Sequence, residues 1–180
     1  MQFQKRDSKI EGCFEVLYKQ HADSRGFFMK TSHTPSFAEL GINETWTEEY
    51  FSSSIKGVIR GMHFQTPPFE HAKIVTCLTG RILDVVLDLR SASPSFGEYT
   101  TFELSKDIPS AVFIPRGCAH GFLSLADESL MFYKVTSVHA PTHDAGVLWN
   151  SFGFKWPVEN PILSERDSRF ARFEDFTSPF

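Results

Sequence analysis

Apolar and polar positions alternate in short runs along the chain, and Gly, Pro and Ser interrupt them at close intervals. Runs of about four to eight residues rich in Val, Ile, Phe, Thr and Tyr predict strands. They fall at Cys13–Tyr18, Gly57–Phe64, Ala72–Leu78, Arg81–Arg90, Tyr99–Leu104, Ala111–Ile114 and Leu130–Val138. Within Arg81–Arg90, Leu83, Val85, Leu87 and Leu89 share one face, while Ile82, Asp84, Val86 and Asp88 share the other. One face then packs and the other carries polar groups. Thr79-Gly80 reads as a hairpin turn, Thr66-Pro67-Pro68 and Ser93-Pro94-Ser95 as loops, and Pro115-Arg116-Gly117 as a tight turn. Helix is scarce: Thr34 as N-cap, Pro35 at the first helical position and Gly41 as a stop predict one short helix. Alternation ceases after Trp156-Pro157, where Ser164–Asp167 can start a last helical turn. The pattern is that of an all-β sandwich or barrel.

Composition narrows the class. The 180 residues, 41% hydrophobic and 22% charged, fit a single folded domain spanning 1–180. A chain of this size buries roughly 70% of its unfolded surface, so it needs no metal or disulfide staple. Cys13, Cys77 and Cys118 are too few and too scattered for a disulfide framework or a zinc ribbon, and point to a reducing compartment. A net charge of -4 without a basic block argues against nucleic-acid binding. No apolar stretch is long enough to span a membrane, and the first residues lack the apolar region of a secretion signal, so a cytoplasmic location is expected. Nineteen Phe point to broad internal surfaces, mostly core.

Reactive groups concentrate in Gly57-Val58-Ile59-Arg60-Gly61-Met62-His63-Phe64-Gln65, in Lys73, and in Ile114-Pro115-Arg116-Gly117-Cys118-Ala119-His120-Gly121-Phe122. These segments resemble the two halves of a cupin-type jelly roll, the double-stranded β-helix. Metal-binding cupins usually place a second His where Gln65 stands here. Glu70 lies at a ligand-like spacing, but an amide is a poor replacement for imidazole. The expectation is no metal and no cofactor.

The same segments, taken in order with His71-Ala72-Lys73, Asp84–Arg90, Ser95-Phe96-Gly97, Tyr133-Lys134 and Leu163-Ser164-Glu165-Arg166-Asp167, resemble the signatures of the dTDP-4-dehydrorhamnose 3,5-epimerase family from about Asp23 to Asp167. The resemblance implies a cofactor-independent jelly roll, usually a homodimer. It implies action on a nucleoside diphosphate 4-keto-6-deoxy sugar in the biosynthesis of surface polysaccharides such as lipopolysaccharide, or of glycosides.

Inverting a carbon beside a ketone requires a base on one face of the ring and an acid on the other. His63 suits the base, since imidazole is largely neutral at cellular pH. The resemblance makes Asp167 its carboxylate partner, although Ser164-x-x-Asp167 alone also reads as a capping box. It makes Tyr133 the acid, where a strand tyrosine alone would read as packing. Lys73 would steady the enolate oxygen; on spacing alone it reads as a snorkelling surface lysine. His120 is implied as a sugar contact and Asp84 as polar support near Lys73. Arg60 and Arg25 suit a diphosphate. The resemblance has Arg25 reach across from the partner subunit, with Phe27 or Phe28 stacking on the base; one of the two is expected in a core.

Two departures concern the substrate. Family members commonly carry Q-x-N-x-S where this chain reads Glu48-Glu49-Tyr50-Phe51-Ser52, and a tyrosine where it has His139. Glu48 and His139 therefore join the substrate-binding candidates. The nucleotide is left open among dTDP, GDP, CDP and UDP, as is inversion at C3, C5 or both. Alternatives on the same fold are a nucleotide-sugar 3,4-ketoisomerase, a metal-dependent cupin and a non-catalytic sugar-binding cupin.

Overall fold

A computed structural model describes residues 3–180 as an antiparallel jelly roll. The strands are β1 (Phe3–Asp7), β2 (Phe14–Tyr18), β3 (Gln20–Asp23), β4 (Gly26–Met29), β5 (Glu48–Ser54), β6 (Ile59–Gln65), β7 (Lys73–Thr79), β8 (Arg81–Asp88), β9 (Tyr99–Ser105), β10 (Ser110–Ile114), β11 (Cys118–Ser124), β12 (Ser129–Val135) and β13 (Asp144–Gly146). A six-stranded sheet runs β1-β2-β10-β7-β12-β5 and a five-stranded sheet β13-β6-β11-β8-β9, while β3 and β4 form a separate ribbon.

Three apolar clusters hold these layers together. Between the sheets lie Val75, Ile82, Val86, Phe102, Val112, Phe122 and Met131. Outside the five-stranded sheet, Val85, Leu87, Leu89 and Phe64 pack beneath Phe152, Trp156 and the aromatics of the C-terminal segment. Outside the six-stranded sheet, Phe14, Val16, Ile74 and Phe113 pack with Phe37 of α1 (Thr34–Glu39). The central strands of each sheet are thus covered on both sides, and there period two sorts residues between two cores rather than between core and water. Strand β8 is the clear case. Leu83, Val85 and Leu87 face the outer cluster, and the expected polar face is inside, with Asp84 and Asp88 fully buried.

Three local expectations change. Thr79-Gly80 does not close a hairpin: β7 and β8 belong to different sheets, so the turn is a corner between layers. Gly80 has φ of 78°, and a Cβ there would lie 2.2 Å from the Glu128 carbonyl oxygen. A short turn signal specifies reversal of the chain, not the neighbour the next strand takes. The N-cap of α1 is His33, whose backbone is extended, and Thr34 is already helical. Phe27 and Phe28 are both 63% exposed on the β3–β4 ribbon, which lies outside both large sheets; neither is a core residue.

Candidate active site

A cavity of about 340 Å³ opens between the sheets, and the inner faces of β5, β6, β7, β11 and β12 supply most of its wall. Its lining includes His63, Lys73, Tyr133, His120, Arg60, Glu48 and His139 from the candidate set. Arg60 and His63 are three residues apart, so in a regular strand they would face opposite ways. The β6–β11 ladder shifts register between the pairs His63–His120 and Arg60–Phe122, inserting an extra residue into β6. That bulge brings both side chains to the cavity. At the bulge, Gly61 packs so closely that a Cβ on it would lie 2.5 Å from the Gly121 Cα.

His63 and Asp167 meet across 104 residues of chain, Nε2 to Oδ1, at 2.8 Å. The second carboxylate oxygen accepts the Gly61 N–H at 3.0 Å. Burial raises the Asp167 carboxyl, but its hydrogen bonds with His63 and Gly61 outweigh that and hold it below the usual range. An ionised carboxylate puts the imidazole proton on Nε2 and leaves the Nδ1 lone pair free. Burial also depresses the His63 pKa, opposed by Asp167 and reinforced by Lys73 and Arg166. The capping alternative is partly realised, since the Asp167 N–H donates to Ser164 Oγ at 3.0 Å. The Asp167 side chain, however, belongs to His63, and a three-residue 3₁₀ turn begins only at Asp167.

Lys73 is buried rather than snorkelling, as the first inward residue of β7. Its Nζ donates to the His63 carbonyl at 3.4 Å. Burial pushes its pKa down to about 8, against the attraction of Asp144 and Asp84. Tyr133 is buried on the inner face of β12; burial drives its pKa far above the usual phenol value, and its hydroxyl lies 3.2 Å from Ser52 Oγ.

Asp84 does not contact Lys73 directly. It bonds His120 Nε2 at 2.6 Å, both side chains being almost wholly buried, and reaches Lys73 only through its charge. Arg60 is tethered by Nε to Ser54 Oγ and by Nη2 to the Ser53 carbonyl, both at 2.9 Å. Glu48 accepts the His139 backbone N–H at 3.0 Å.

Arg25 and Phe28 are not brought to this cavity. They lie on the β3–β4 ribbon beside a separate groove, where Arg25 pairs with Asp23 at 2.6 Å. Sequence reasoning also omitted Tyr50, Ser52, His71, Ser137, Asp144 and Arg166 from the lining. Tyr50 and Ser52 were accessible by counting in twos from Glu48, and Arg166 by adjacency to Asp167. Asp144 carried no such signal. Glu70 does not line the cavity, and Gln65 is engaged with the Ala140 N–H and with Phe69 and Val138 carbonyls. Among the described residues no three His, Cys, Asp or Glu converge as a ligand set.

The sequence profile of the dTDP-4-dehydrorhamnose 3,5-epimerase family matches residues 7–175. The chain belongs to that family. Within the epimerase family it is 38% identical to the dTDP-4-dehydrorhamnose 3,5-epimerase of Shigella flexneri over 160 residues, covering 87% of this chain and 88% of that one. It is 37% identical to a dTDP-4-dehydrorhamnose 3-epimerase of Streptomyces niveus, covering 88% of this chain and 78% of the relative. The fold superposes, with a TM-score of 0.93, on the dTDP-6-deoxy-D-glucose-3,5-epimerase of Legionella pneumophila Philadelphia 1 solved with dTDP-4-keto-L-rhamnose. That pair shares 29% identity over 97% of this chain and 95% of the other. Its relatives thus include enzymes named for inverting two centres and one named for inverting one.

Proposed function

We propose that the chain, as one jelly-roll domain, inverts C3, C5 or both in a nucleoside diphosphate 4-keto-6-deoxy sugar by removing and returning a proton through an enolate. The observation that carries this is the shared cavity: an imidazole with its tautomer fixed by Asp167, a buried phenol and a buried lysine all line it. His63 Nδ1 takes the proton from the carbon beside the ketone, and the electron pair passes to the C4 oxygen. The Lys73 ammonium stabilises that oxygen, an interaction worth about 3 kcal/mol where the donor is preorganised. Tyr133 gives its proton to the opposite face of the same carbon, and solvent restores both groups. Asp84 orients His120 against the sugar.

Arg60 takes the diphosphate. The exposed β3–β4 ribbon supports a homodimer in which Arg25 and Phe28 of one subunit complete the nucleotide site of the other. The names of the relatives favour a dTDP sugar; the sparse free cysteines support action in the cytoplasm. Incubating dTDP-, UDP-, GDP- and CDP-linked 4-keto-6-deoxy sugars in deuterated water tests the reading. Deuterium at C3 or C5 with inversion, lost in His63→Ala, supports it; inversion by His63→Ala and Tyr133→Phe at wild-type rates refutes it.

A further inference from the structure

We propose that Tyr50 is a positioning residue for Tyr133, one half of an aromatic clasp that fixes the phenol returning the proton; the inference rests on the epimerase reading above. Among the described residues strand β5 is an edge of its sheet, with β12 as its one ladder neighbour. The register places Tyr50 opposite Tyr133 and Phe51 opposite Phe132. On the cavity face, the Tyr50 and Tyr133 rings stack with centroids 4.7 Å apart and planes 16° apart. On the outer face, Phe51 and Phe132 pack at 5.1 Å and 37°. The two pairs grip the ladder from both sides.

The grip matters because Tyr133 takes its polar contact from the same edge strand. Ser52, two residues beyond Tyr50 and therefore on the same face, supplies the oxygen next to the Tyr133 hydroxyl. His120 touches the Tyr133 ring edge-on, with centroids 6.2 Å apart. A slip of β5 by one residue would turn both Tyr50 and Ser52 away from the cavity. Glu48-Glu49 and Ser52-Ser53-Ser54 offer the edge few other apolar anchors. The clasp thus holds the acid, while Asp167 and the β6 bulge hold the base.

This division predicts which half of the reaction fails. Proton removal by His63 does not use Tyr133, so an ill-placed phenol leaves removal intact and slows return to the opposite face. The enolate then regains a proton from His63, giving exchange without inversion. The experiment follows deuterium incorporation and inversion of dTDP-4-keto-6-deoxy-D-glucose in deuterated water for wild type, Tyr50→Leu, Tyr50→Phe and Phe51→Leu. The ratio of inverted product to incorporated deuterium is expected to fall roughly tenfold in Tyr50→Leu, to stay within about twofold in Tyr50→Phe, and to fall about threefold in Phe51→Leu, as expected for a displaced catalytic group. A wild-type ratio in Tyr50→Leu overturns the clasp alone. So does an equal loss in Tyr50→Phe, which would assign the effect to the hydroxyl. If Tyr50→Leu does not fold, Phe51→Leu decides, an unchanged ratio there overturning the proposal. A wild-type chain that incorporates no deuterium overturns the epimerase reading together with the clasp.

Discussion

Two histidine–aspartate pairs face each other across one ladder, since His63 and His120 are register partners on β6 and β11. Their hydrogen bonds are alike, 2.8 Å for His63–Asp167 and 2.6 Å for His120–Asp84. Their surroundings are not. The His63 side chain is 29% exposed, whereas His120 is 5% and Asp84 0% exposed. The carboxylates also differ in origin: Asp84 comes from the neighbouring strand β8, Asp167 from a 3₁₀ turn far along the chain. The more exposed imidazole can exchange a proton with a bound sugar, whereas a nearly buried one that shows only a small part of its ring to the cavity can position the sugar and stiffen the barrel. Pairing alone does not identify a base; access does.

The sharpest way to break this contrast is at the open pair. Asp167→Asn should lower kcat by about a thousandfold or more, because an amide no longer fixes the Nε2–H tautomer. Asp167 is itself buried, but an amide oxygen can still accept the Gly61 N–H, so the loss of stability should be smaller than the loss of activity, and steady-state kinetics beside denaturant melts measure both. At the more deeply buried pair the balance reverses. Asp84→Asn should cost about 3 kcal/mol of stability, the range for breaking a buried pair, and lower kcat less than Asp167→Asn does. If the two substitutions gave the same division of effects, exposure would not be what separates the pairs.

The pH profile sharpens the assignment further. His63 acts as base only when neutral, and its lowered pKa moves the acid limb of kcat/KM below the ordinary imidazole value of about 6.5. Activity falls as pH drops through that limb. Lys73 acts as ammonium, so activity falls as pH rises through its pKa of about 8. Lys73→Arg should remove the alkaline limb while lowering the rate, and a limb that persisted would assign it to another group. The smallest effect belongs at the rim. Glu48→Gln with His139→Tyr should tighten KM for a dTDP sugar by about tenfold, roughly one good polar contact, with kcat nearly unchanged.

The strands most legible in the sequence are those whose alternation sorts residues between two cores. Strands β7, β8 and β12 fall within a few residues of their expected bounds, although β12 stops at Val135 rather than Val138. Strands β1, β5 and β13 are sheet edges and β3 and β4 form the ribbon outside both sheets, so two cores do not impose alternation on them, and all five escaped; the edge strand β9 was nevertheless legible. Cys118–Ser124, set aside as a motif, is strand β11 and nearly wholly buried. Among site residues, His63 stands in a short motif whose chemistry suits a base, whereas Lys73, on spacing alone a surface lysine, and His120 took their roles from the family resemblance. The link from His63 to Asp167 is nonlocal, and only resemblance to a family made it visible. Partner choice between strands, as at Gly80, is lost from local chemistry for the same reason.

The extra residue in β6 has a further consequence. Side chains at the chamber wall change one at a time, and each exchange shifts specificity by a small step. The offset that sets a guanidinium and an imidazole on a common side is a matter of parity. It is present or absent as a whole, and no exchange of side chains produces an intermediate value. Substitutions in the wall can then alter which sugar fits, while the spacing between anchor and base stays set by the backbone.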